Sequence, residues 1–145
     1  MNILKALTDK RIKGNLGEDA VCKYLKKRKY KILFKNYVAE GHEIDIIAED
    51  RDTLAFVEVK TRTVGHENPN EPRPASSVDA EKQRGIIAAA RFYAAYNPVG
   101  KKKRFDIVEV YVNEENGKYT LAEIKHLKNT FNLNTAYTHD KRRRK

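Results

Sequence analysis

Apolar residues near the start of the chain recur at helical spacing, then switch to the alternation of strands. Within residues 13–29, KGNLGEDAVCKYLKKRK, the residues Leu16, Ala20, Val21, Tyr24 and Leu25 form one stripe and predict a first helix. Gly14 and Gly17 lie in or beside the stripe. They weaken helix propensity but would let the helix approach a sheet closely. YKILFKNYV, residues 30–38, reads as a strand that ends in a turn at Glu40–Gly41. HEIDIIAED and TLAFVEVKTR follow as two more strands, with a tight turn at Asp50–Asp52 that predicts an antiparallel hairpin.

The pattern then lapses. Residues 63–76 carry three prolines and no periodicity, so they read as a loop. Ser76 or Ser77 could cap a second helix over about residues 77–96, with Asp79 in its first turn. Val78, Ile86, Ala89 and Tyr93 share a face of it, and NPVGKKK ends it. RFDIVEVYV and KYTLAEIKHL are two last strands, joined across NEENG. The order is helix, three strands, helix, two strands. It predicts an α/β fold with a central mixed β-sheet flanked by helices. The 145 residues suit one domain, taken as 1–128. Residues 129–145, rich in Asn, Thr and positive charge, read as a flexible tail.

Composition narrows the function. Lys and Arg number 30 against 20 acids, a net +10 with clusters at KKRKYK, KKKR and KRRRK. That balance suits a polyanionic partner such as nucleic acid. The one cysteine, Cys22, excludes an internal disulfide, and His42, His66, His126 and His139 lack zinc-ligand spacing. No apolar run approaches the roughly 20 residues of a membrane span, and the first residues lack the marks of a signal peptide. A cytoplasmic protein with no membrane partner is the expectation.

Several charged residues do not fit a plain core. Asp45 interrupts HEIDIIA with isoleucine on both sides. An acid in an apolar strand needs a partner or a purpose. In the next strand Glu58 and Lys60 stand two apart and so share a face. The hairpin would bring Asp45 toward Glu58. Two nearby carboxylates repel, and a hard divalent cation resolves the repulsion through their oxygens, with the Val59 carbonyl as a further donor. A lysine beside them could orient water and offset charge on a phosphate. Glu18 borders the helical stripe and could reach the same point. Glu43 is an accessory candidate on the strand of Asp45. Lys82 and Gln83 could reach phosphate from the second helix. Asp106, in RFDIV, reads instead as a strand residue with a salt-bridge partner.

GNLGEDAVCKYLKKRKYKILFKNY, GHEIDIIA, FVEVKTR, VDAEKQRGIIAAARFY and RFDIV occur in that order over about residues 10–112. Together they resemble the YraN-like family of uncharacterised bacterial proteins. That family in turn resembles the PD-(D/E)XK, or restriction-endonuclease-like, nucleases, in particular the Holliday junction resolvase branch. The resemblance implies a restriction-endonuclease-like fold. By motif it implies catalytic Asp45, Glu58 and Lys60, and metal ligands Glu18, Asp45 and Glu58. Arg62, Lys82 and Gln83 would bind nucleic acid. The residue before Asp45 is Ile44 rather than proline, a departure with little bearing on the chemistry. The implied activity is Mg2+-dependent endonucleolytic hydrolysis of DNA, with Mn2+ able to substitute. Branched or flapped substrates are the expected targets, and a homodimer would suit them. The alternative is a nucleic-acid-binding protein that keeps the fold without efficient catalysis. A plain adaptor for RNA or anionic protein fits less well, because acids impair simple phosphate binding.

Overall fold

The structure, a computed structural model, describes residues 3–65, 78–97 and 100–132. Helix α1 (Ile3–Lys27) leads into three strands, β1 (Lys31–Ala39), β2 (His42–Glu49) and β3 (Thr53–Thr63). Helix α2 (Ala80–Tyr96) then precedes β4 (Lys102–Glu115) and β5 (Lys118–Phe131). The strands form one five-stranded sheet in the order β1-β2-β3-β4-β5. All neighbours are antiparallel except β3 and β4, which are parallel and connected through α2. The expected α/β fold with a mixed sheet is therefore present, and it has the layers of a restriction-endonuclease-like domain.

Each face of the sheet buries its own core. Leu54 and Phe56 of β3 join Ile47, Ile86, Tyr93, Phe105 and Ile107 on the α2 side. Ala55 and Val57 join Val21, Leu25, Ile46, Val108 and Val110 on the α1 side. The period-two alternation of β3 thus serves two apolar layers at once. Continued along the strand, the α2-side series runs Leu54, Phe56, Glu58, Lys60. The two charged residues extend a core face.

The helix boundaries differ from expectation at both starts. α1 begins at Ile3, well before residue 13. Residues 3–12 contain neither Gly nor Pro and are mostly good helix formers, so the helix extends without a buried stripe. Its buried residues begin only at Gly17, while Ile3, Leu4, Leu7 and Ile12 stay exposed. At α2 the cap is Asp79, whose carboxylate accepts from the Lys82 N–H at 2.8 Å. Asp79 thus takes the capping role assigned to serine, and Ser76 and Ser77 lie outside the described residues. β5 continues past Leu127 to Phe131, whose ring is buried against Phe105. Residues 129–131, expected to begin the tail, therefore belong to the sheet, and the rest of that segment lies outside the described residues. The β1–β2 and β4–β5 turns, Glu40–Gly41 and Asn116–Gly117, have positive φ at both residues, the geometry that matches strand twist.

Two contacts orient α1. A Cβ on Gly17 would collide with the Thr61 hydroxyl and lie 3.2 Å from Thr61 Cβ, so the helix rests directly on β3 there. Gly14 has nothing within 4 Å of that position and makes no such approach. The second contact is polar. Asp106, fully buried, accepts from Arg104 Nε at 2.9 Å, from the Asn129 N–H at 2.9 Å and from His126 Nε2 at 2.8 Å. His126 Nδ1 lies 3.1 Å from the Tyr24 hydroxyl of α1, and Arg104 Nη2 donates to the Tyr30 hydroxyl at 2.7 Å. Asp106 thus has the salt-bridge partner expected of it. Burial alone would raise its pKa, but the bonds from His126, Arg104 and Asn129 together hold it below the usual carboxylate value.

Gly17→Val should lose about 1–3 kcal/mol of stability in urea denaturation, the usual range for overpacking. Thr61→Ala should recover part of that loss in a double-mutant cycle. Because the folded pKa of Asp106 is depressed, its contribution is present above the unfolded value of 3.8 and is lost as pH falls through the folded pKa. Asp106→Asn should therefore be markedly destabilised at pH 7, by an amount that shrinks on acidification below about pH 4.

Candidate active site

The site forms where β2 and β3 part. Their ladder runs from Glu49↔Leu54 to Ile46↔Val57, and the next opposed residues would be Asp45 and Glu58. Asp45 instead turns its side chain into the gap, and its Oδ2 accepts the Val59 N–H at 2.8 Å. Core alternation slips at the same place: Ile44 joins the α2-side cluster, whereas Ile46 and Ala48 join the α1 side. A carboxylate therefore does what a β2 carbonyl would otherwise do, and the β3 segment beyond Val57 is left without β2 alongside it.

Around this point lies a cleft of about 630 Å³ that holds Glu18, Asp45, Glu58 and Arg62 together. Gly17 seats α1 on Thr61, and this brings the adjacent Glu18 to the cleft. Burial, followed by the charge of Glu58, raises the Asp45 pKa to about 7, against the lowering effect of the Val59 bond. Glu18 and Glu43 add smaller raising contributions. Glu18 is itself raised, first by burial and then by Glu43. Asp45 thus bears the charge of three neighbouring acids, Glu58, Glu18 and Glu43.

Glu58 is 7% exposed and faces two lysines. Its Oε1 lies 2.7 Å from Lys82 Nζ and 3.7 Å from Lys60 Nζ. Burial lowers the Lys60 pKa, and the neighbouring Lys82 lowers it further. For Lys82, burial acts downward but the bond and charge of Glu58 prevail, so its pKa is raised. Lys60 is therefore the ammonium readier to release a proton. Gln83 Nε2 donates to the Val78 carbonyl at 2.9 Å, an engagement at the start of α2 rather than in the cleft.

The sequence candidates thus fall into two groups that meet at Glu58. Glu18, Asp45, Glu58 and Arg62 share the cleft, while Lys60 and Lys82 approach Glu58 as ion-pair partners. Among the described residues, no three His, Cys, Asp or Glu side chains are gathered tightly enough to form a metal cage. The donors are nonetheless of the hard-oxygen kind that suits Mg2+. Sequence reasoning missed Lys10, Lys13 and Tyr119, which line the same cleft. The spacing 6, 10, 13, 17, 21 along one helical face could have revealed the two lysines. Placing the helix start at residue 13 concealed them.

With the site described, comparison with known proteins becomes informative. Residues 17–110 match the family described as "Uncharacterised protein family UPF0102". The chain belongs to this family. A UPF0102 protein of Caldanaerobacter subterraneus subsp. tengcongensis is 42% identical over 124 residues, covering 85% of this chain and 97% of that protein. One from Geobacter metallireducens is 38% identical, covering 83% and 92% of the two chains. Another, from Clostridium beijerinckii, is 41% identical over 83% and 94%. Membership agrees with the YraN-like resemblance of the motifs. The family description and these names state no activity, so the chemistry of UPF0102 has to be argued from the site. No helix among the described residues is long and apolar enough to cross a membrane.

The perturbed acid gives a direct test of this geometry. Asp45 has a folded pKa of about 7 against 3.8 unfolded, so stability should fall as pH rises between these values. Asp45→Asn keeps an acceptor for the Val59 N–H and removes the charge. It should be more stable than the wild type at pH 8, on the order of 2–4 kcal/mol, and nearly equal to it at pH 4. Thermal melts across that range measure the difference.

Proposed function

We propose that this chain is a Mg2+-dependent endonuclease that hydrolyses phosphodiester bonds in DNA, with a preference for branched or flapped substrates. The observation that carries the reading is Asp45, set into the gap between β2 and β3 with its pKa raised to about 7 by burial and by neighbouring acids. Such clustering is costly unless something positive joins it, and perturbed carboxylates in a cleft are characteristic of catalytic centres.

Asp45 and Glu58 would hold the cation, with Glu18 reaching in from α1. The Val59 carbonyl is a further donor, because the N–H and C=O of a strand residue point to the same side and the Val59 N–H points to Asp45. Bound there, a divalent cation supplies Lewis acidity and a water of lowered pKa. Mg2+ is the natural occupant, and Mn2+ can replace it. Lys60, with its lowered pKa, orients the attacking water and offsets charge on the phosphate. Arg62 holds the backbone from the cleft. Lys82 buffers Glu58 and is placed to transfer to a phosphate oxygen once a cation takes over the carboxylate.

One observation favours the binding-only alternative. Glu58 is already neutralised by Lys82 at 2.7 Å, which makes the carboxylate a weaker ligand unless that pair opens. Incubation with flap, junction, single-stranded and duplex DNA in Mg2+ and in Mn2+ separates the readings. Cleavage should occur on at least one branched or flapped substrate. It should drop by a factor of about 100 or more in Glu58→Ala and in Lys60→Ala, the range for losing a transition-state contact. Tight binding by the wild type with no cut product under any condition would favour the alternative.

A further inference from the structure

The cleft that holds the carboxylates does not end at them. Beyond Gly17, helix α1 runs on past the buried core, and one face of this overhang forms the cleft wall. Ala6, Lys10 and Lys13 follow at four- and three-residue steps, with Gly14 four residues after Lys10, on the face that, further along, carries Gly17 and Val21 to the sheet. Tyr119, from the β4–β5 hairpin, lines the same cleft near Asp9, with its ring partly packed against the α1-side core. A series thus leads away from Glu18 along α1: Lys13, then Lys10, with the Tyr119 ring in the same cleft.

We propose that this overhang is a track for single-stranded nucleic acid leading out of the active site. Lys13 and Lys10 contact successive phosphates, and Tyr119 stacks on an unpaired base. The inference rests on the nuclease reading of the carboxylate cluster and specifies its substrate. Two features support a single strand rather than a duplex, and a third gives the track its length. A volume of about 630 Å³ is in the range of small-ligand sites, so it suits one strand rather than two. An aromatic ring sharing a cleft with basic side chains, as Tyr119 does with Lys10 and Lys13, is the usual sequence-tolerant means of holding unpaired bases. Lys10 lies eight residues before Glu18, about 12 Å along the helix axis, which sets the length of the track.

Lys13 reaches Thr63 Oγ1 at 3.4 Å, a long contact that leaves its ammonium further donors for a phosphate. Asp9 also lines the cleft and opposes phosphate there.

Fluorescence anisotropy tests this with the full chain, labelled oligo(dT) and a labelled blunt hairpin duplex of equal length, in Ca2+ and across a salt series. The oligonucleotide should bind at least about tenfold more tightly than the duplex. Lys10→Ala and Lys13→Ala should each weaken oligo(dT) binding and flatten its log–log salt slope by about 0.7. Tyr119→Leu keeps apolar packing but removes the aromatic ring. It should weaken oligo(dT) binding about 5–100-fold, while Tyr119→Phe should not. Melting temperatures equal to the wild type's would confirm that the variants fold. Wild-type affinity for oligo(dT) in the lysine and Tyr119→Leu variants would overturn the track, as would equal affinity for the duplex. If the track alone fails, the wild type still cuts DNA. If the nuclease reading fails, the wild type cuts no substrate whether or not it binds.

Discussion

A single hydrogen bond organises the centre of this fold. The Asp45 carboxylate accepts the Val59 N–H and so ends the ladder between β2 and β3. The sheet must then open there, because the side chain occupies the place of a β2 carbonyl. The opening frees the β2-facing edge of the β3 stretch that carries Glu58, Lys60 and Arg62. It also leaves the space over which α1 projects. The bond favours the charged form of Asp45, while burial and Glu58 oppose it more strongly. This local conflict costs the fold stability at that point, as expected of the proposed active site.

A second polar feature works differently, although it too is a buried carboxylate. Asp106 has donors on every side from Arg104, His126 and Asn129, and its pKa is depressed. It ties α1 to the β4–β5 hairpin through His126 and Tyr24. Among the described residues, Asp45 accepts from the Val59 N–H and faces several like charges, and its pKa is raised. Burial is common to both. The balance of donors against neighbouring acids decides the sign of each shift: down for Asp106, up for Asp45.

Much of this was legible in the sequence. Alternation located all five strands, and the isoleucines around Asp45 marked it as an acid inside a strand. The spacing of Glu58 and Lys60 correctly put them on one face. Other features were not legible. A stripe that buries residues only from Gly17 onward gives no sign of the ten earlier residues of α1, which are helical by propensity alone. Asp79 was read as a first-turn acid because serines precede it, and either residue type can cap. Lys82 was placed near phosphate. Its 2.7 Å pair with Glu58 depends on how α2 packs across the sheet, which no local pattern encodes. Lys10 and Lys13 share a face of α1 by spacing, but Tyr119 joins them only through the tertiary fold.

The central claim is that Asp45, Glu58 and Glu18 form a cation site whose repulsion is relieved by the ion. The most direct measurement is a 13C NMR titration of the Asp45 carboxyl carbon, without divalent metal and with Mg2+. The account predicts an apparent pKa near 7 without metal and a fall of at least about one unit with Mg2+, since an adjacent positive charge favours the carboxylate. An Asp45 that titrates near its ordinary value of 3.8 and does not respond to Mg2+ would contradict it.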